Sequence, residues 1–133
     1  AWLELQSKMP VARVRFGGAV QKQKGNVMPK FLIKASYTQA GAKGLLHEGG
    51  SSRKAAVEKM VSALGGKLEA FYFAFGETDV YGICELPDVV TAAAASLAIN
   101  SSGMVSETIV PLLTPEEIDQ ACKKSVAYRA PGQ

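Results

Sequence analysis

Two strand–helix–strand runs of similar size follow one another between Met28 and Leu113, and that repetition restricts the chain to few folds. Strand-like Lys30–Tyr37 leads through a helical stretch to strand-like Lys67–Phe75. Strand-like Thr78–Leu86 then leads through the alanine-rich run Asp88–Asn100 to strand-like Met104–Leu113. Consecutive βαβ halves predict an α+β, ferredoxin-like βαββαβ sandwich. Thr114-Pro115-Glu116-Glu117 adds a helix start, with Thr at the N-cap, Pro at the first position and Glu at the third. It predicts a C-terminal helix to about Val126 and an extended tail over Tyr128–Gln133. A chain of 133 residues is long enough for one domain with a real core.

Within the first half, Thr38 is placed to cap a helix over Gln39–Glu48. Gly49-Gly50-Ser51-Ser52 breaks it, with either serine available to cap the next piece. In Arg53–Leu64 the apolar Ala56, Val57, Met60, Val61 and Leu64 recur at spacings of three and four, so one face is core. Gly65-Gly66 stops that helix. Leu68–Phe75 and Asp79–Leu86 form a hairpin around Gly76-Glu77-Thr78. Alternation places Leu68, Ala70, Tyr72 and Ala74 on one face and Glu69, Phe71, Phe73 and Phe75 on the other. Neither face is cleanly polar, yet two helices cover only one face of such a sheet. The second face therefore needs another cover, and sheets packed face to face in a homo-oligomer supply it.

Residues 1–27 differ in character from 28–133. They carry Lys8, Arg13, Arg15, Lys22 and Lys24 against Glu4, whereas the remainder is close to neutral, so the net charge of +3 resides in a basic N-terminal extension. Val11–Phe16 alternates apolar and basic residues as an edge strand or docking arm does, which makes a protein partner through residues 1–27 one expectation. Met28-Pro29 also fits the start of a shorter protein preceded by a leader, although the segment lacks the apolar stretch of a signal peptide. The near-neutral domain predicts no nucleic-acid surface, and no apolar run approaches the ~20 residues of a membrane span. Cys84 and Cys122 lack metal or disulfide spacing, so they read as free thiols of a cytoplasmic protein. His47 alone builds no histidine-rich metal site.

Several pieces together resemble the GYD-domain family of small bacterial proteins, related to the dimeric α/β-barrel superfamily. They are Pro29–Thr38, Gly49–Lys59, Leu64–Tyr72, Phe75–Tyr81 and Pro111–Glu117. The resemblance covers Met28–Gln133 and none of residues 1–27. The family's name-giving tyrosine–aspartate step is altered: Thr78 precedes Asp79, and Tyr81 follows two residues later. The resemblance implies the ferredoxin-like fold and self-association, and it implies no particular activity.

Three groups of residues are candidates for chemistry. Gly49-Gly50-Ser51-Ser52-Arg53 opens a helix with free N–H groups, two hydroxyls and a guanidinium, a set that holds a carboxylate or phosphate; the plain alternative is a serine-capped turn. Tyr37, Tyr72, Asp79 and Tyr81 form an aromatic–polar set that orients a small aromatic or polar ligand if it converges beside a pocket; the alternative is tyrosines satisfied locally, with Asp79 in the hairpin turn. His47 beside Glu48 is a candidate base, although adjacent helical residues do not face each other. No catalytic constellation is complete, and no nucleotide fingerprint occurs, so no cofactor is expected. The expected function is that of a small-molecule-binding or assembly protein. The alternatives are a cofactor-independent monooxygenase or isomerase, by superfamily analogy, and an accessory subunit of a larger complex.

Overall fold

The computed structural model describes residues 28–74 and 76–133. The readings of residues 1–27, the Val11–Phe16 strand among them, and of Phe75 lie outside it. The elements in chain order are β1 (Lys30–Tyr37), α1 (Gln39–Glu48), α2 (Gly50–Ala63), β2 (Lys67–Phe73), β3 (Val80–Glu85), α3 (Val89–Ser101), β4 (Val105–Leu112) and α4 (Pro115–Cys122). The strands make one four-stranded antiparallel sheet in the order β2–β3–β1–β4. This α+β arrangement is compatible with the ferredoxin-like fold read from the two βαβ halves.

β1 is central, pairing with β3 on one side and β4 on the other. Its alternation of half-buried and buried residues sends Phe31, Ile33 and Ala35 to the helix-covered face. There they join Cys84 and Leu86 from the β3 segment, Val61 of α2 and Ala92 of α3. Val57, Met60, Leu64, Leu68 and Ile109 pack around that centre. Burial pushes the Cys84 thiol up to about 11, so it behaves as a small apolar group. Cys122 is free and exposed.

Local signals set most boundaries. Thr38 caps α1 by accepting from the Gly41 amide, Asp88 caps α3 through the Thr91 amide, and Thr114 with Glu117 closes a capping box at α4. The break between α1 and α2 differs from the expected serine cap. Gly49, at φ 88°, is both the last residue of α1's cap and the N-cap of α2, with no side-chain cap bond. Ser51 and Ser52 therefore lie inside the first turn of α2. α4 ends at Cys122 rather than near Val126, and it buries none of its residues; without a surface to pack on, a short helix has little to extend it.

The strand faces of the hairpin also need correction. Leu68 pairs with Cys84 but Ala70 pairs with Ile83, so a bulge at Glu69 breaks the alternation. Beyond it, Phe71 opposite Gly82 and Phe73 opposite Val80 join Leu68 on the helix side. Their rings meet edge to face at 5.5 Å. Ala70 and Tyr72 turn to the open face, where Tyr72 is opposite Tyr81.

The open face carries Leu32 between Ile83 and Val110, beside that tyrosine pair. Tyr72 is 71% exposed and Tyr81 and Val110 are each 40% exposed, so this apolar surface has no cover within the described residues. At one end Lys30 bonds both Glu69 and Glu85 (2.8 Å to Glu85). The Lys30 ammonium holds the Glu85 carboxyl below its usual range. Glu69 and Glu85 are thus partners of one lysine on the open sheet face. Among the described residues, no helix is long and apolar enough to cross a membrane.

Two glycines of α1 give a matched test of the packing. A Cβ on Gly41 would lie 1.9 Å from the Met104 carbonyl oxygen, whereas one on Gly44 would meet nothing within 4 Å. Gly41→Ala is expected to destabilise by an overpacking cost at or above the upper end of about 1–3 kcal/mol. Gly44→Ala should stabilise by roughly 0.5–1 kcal/mol. Urea denaturation of the two variants measures both, and equal effects would refute the close approach of α1 to the start of β4.

Candidate functional site

The helix-covered side of the sheet holds a partly open cavity of about 280 Å³ between β1–β4 and helices α2 and α3. Ile33 and Ala35 of β1, Val80 of β3 and Phe71 of β2 line it from the sheet, and Val57 and Met60 of α2 and Ile99 of α3 line it from the helices. The bulge at Glu69 is what delivers Phe71 to this wall. Tyr37 and Arg53 contribute at partly exposed positions. Burial raises the Tyr37 hydroxyl above its ordinary range, opposed by the nearby Arg53 charge.

One carboxylate interrupts the apolar wall. Glu107 of β4 shares the inward parity of Val105 and Ile109 and is only 6% exposed, the one charged side chain buried among the described residues. Its backbone is clamped to the end of α3: the Glu107 amide donates to Asn100 Oδ1 at 2.7 Å, and Asn100 Nδ2 donates to the Glu107 carbonyl at 3.0 Å. Its carboxyl is held by one hydroxyl, Ser96 Oγ, which donates to Oε1 at 2.6 Å. Oε2 has no hydrogen-bond partner among the described residues. Burial raises the Glu107 carboxyl above the usual carboxylate range, and the Ser96 hydrogen bond opposes the shift. A buried acid with one unanswered oxygen is where a ligand's polar group or a transferred proton has a partner.

The residues singled out from sequence distribute differently. Tyr37 and Arg53 do line the cavity. Tyr72 and Tyr81 lie on the opposite, open face. Asp79 accepts from the Tyr37 amide at 2.9 Å, while its own amide donates to the Ala35 carbonyl, so it ties the end of β3 to β1. The four do not converge. Arg53 is paired with Glu48 at 3.2 Å, and Ser52 Oγ reaches the same carboxylate at 3.4 Å, so the chain's own Glu48 takes the bonds offered at the start of α2. Ser51 is exposed, and His47 is exposed in the last turn of α1.

Ser96, Asn100 and Glu107 were not among the expected site residues. Two signals mark them in retrospect. Ser96 and Asn100 are four apart on an otherwise alanine-rich and aliphatic helix, hence on one face. Glu107 falls at an inward position of an alternating strand.

These features describe a helix-covered antiparallel α+β domain with a mainly apolar cavity and a sheet face uncovered by any of the described residues. Residues 31–122 match the family model of the GYD domain, and the chain belongs to the GYD-domain family. No curated protein and no solved structure shows a significant match to it.

Glu107 makes stability depend on pH with a definite sign. Its folded pKa is raised, so its contribution is fully present below the unfolded carboxylate pKa and is lost as pH rises through the folded value. Glu107→Gln removes that loss. Relative to the variant, the wild type should become progressively less stable as pH rises from the ordinary carboxylate range through the raised folded value. Urea midpoints measured over this range test it, and parallel pH profiles would refute the assigned burial.

Proposed function

We propose that this chain is a self-associating small-molecule-binding protein, in which the cavity between sheet and helices takes a compact, largely apolar or aromatic ligand and the open sheet faces of two copies pack together. The observation that carries the binding reading is an apolar space of about 280 Å³ with a single buried carboxylate in its wall. Ligand sites have this composition, apolar surface with few fixed polar groups, and begin at about 300 Å³. The association reading rests on the exposed Tyr72, Tyr81 and Val110 around Leu32 and Ile83. Two free thiols, one of them exposed, fit a reducing compartment such as the cytoplasm.

A second reading, a cofactor-independent isomerase, has one observation in its favour. Glu107 combines burial with an elevated proton affinity, a property of carboxyls that accept and return a proton. It differs from the binding reading in requiring turnover.

Indole is a compact aromatic probe for the cavity. It is expected to raise the melting temperature saturably in the full chain, and Val57→Phe, which fills the helix side of the space, should abolish the effect while far-UV circular dichroism is retained. Equal stabilisation of both proteins would place binding elsewhere. For association, Tyr72→Asp buries a charge in the proposed interface without touching the core. It should weaken self-association by the roughly 2 kcal/mol or more of an interface hot spot. Light scattering reads the mass directly, and a monodisperse wild-type monomer would overturn the association reading.

A further inference from the structure

The hydrogen bonds around Glu107 define what kind of polar group the cavity accepts. Asn100 Nδ2 lies 3.3 Å from Ser96 Oγ, so the serine oxygen accepts from the amide and its own proton is directed at Glu107 Oε1. The 2.6 Å separation is that of a short hydroxyl-to-carboxyl hydrogen bond. Neither Lys30 nor Arg53 serves as counter-ion: the ion pairs among the described residues join Lys30 to Glu69 and Glu85, and Arg53 to Glu48. The Glu107 carboxylate is therefore buried with one oxygen held by a neutral donor and the other unpartnered. Leaving a buried charge uncompensated is costly, and the remedy is an opposite charge that also brings N–H donors.

The rest of the wall fits the same kind of guest. Phe71 and Tyr37 present aromatic rings, whose faces attract a cation, and Val57, Met60 and Ile99 offer apolar contact. Arg53, the other charge at the cavity, is already neutralised by Glu48. We propose that the cavity is a binding site for a small organic ammonium ion, whose apolar body fills the space while its N–H group bonds the unpartnered oxygen of Glu107. Oε2 is covered in the unliganded form, and the terminal torsion of a glutamate is soft enough for the carboxyl to turn toward a guest. The inference rests on the small-molecule-binding reading and narrows it to one ligand class.

The experiment compares three probes of one shape on the full chain near neutral pH: benzylammonium, benzyl alcohol and benzoate, titrated by calorimetry. Benzylammonium is expected to bind at least about tenfold more tightly than benzyl alcohol, as for a hydrogen bond to a charged group. Benzoate should bind more weakly than either. Glu107→Gln should remove the preference for the ammonium while keeping benzyl alcohol binding. If benzyl alcohol or benzoate binds the wild type as tightly as the ammonium, the ammonium site is overturned and the cavity stands as a ligand site. If none of the three binds, both readings fall. The wild-type comparison decides the question even if the variant does not fold.

Discussion

β1 is the strand on which the rest of the structure depends, because it is paired along both edges and its eight-residue ladder to β4 is the longest in the sheet. Its ladders to β3 and β4 satisfy its backbone groups, and its alternation then has to sort side chains between two environments. Phe31, Ile33 and Ala35 supply the centre of the core and the floor of the cavity. Lys30, Leu32 and Lys34 face the other way, to a surface that none of the described helices covers. The core, the cavity and the open face are thus consequences of one eight-residue segment held in the middle of the sheet.

Against that frame, Glu107 is a conflict within the fold. The strand position opposite Ala35 demands an apolar side chain, yet a carboxylate occupies it. Asn100 and Ser96 reduce the cost by fastening the residue to α3 through backbone and side chain. They do not remove the cost, since one oxygen is left without a partner. Sites where local rules are broken and only partly compensated are where function concentrates. α3 itself departs from the pattern of a surface helix: Val89, Val90 and Leu97 are exposed on the side away from the sheet, so its apolar character extends around the helix.

Features governed by neighbours in sequence were legible in the chain. The Thr38 and Asp88 caps, the Thr114–Glu117 box and the bounds of α1 follow from residues within a turn of where they act. The succession of strands and helices in the two βαβ halves was legible as well. Features governed by distant partners were not. Leu68 to Phe73 carries apolar residues at both parities, and only the pairing with β3 reveals the extra residue at Glu69. Ser51 and Ser52 have the chemistry of caps, but Gly49 already adopts the backbone shape that ends one helix and begins the next. The site was legible in part. Tyr37 and Arg53 were found because aromatic and guanidinium groups stand out in any sequence. Glu107 was missed because a single acid in a strand acquires meaning only from its inward parity and from a helix that folds over it.

The bulge at Glu69 also ties the two faces of the sheet together mechanically. By taking up one residue it makes Phe71 part of the cavity wall and Tyr72 part of the open face, on adjacent links of the same edge strand. An edge strand is held by one ladder only, so it yields more readily than β1. Any guest whose fit depends on where Phe71 sits is thereby energetically linked to whatever presses on Tyr72. Such linkage runs equally in both directions: a surface that changes guest affinity is a surface whose own affinity the guest changes.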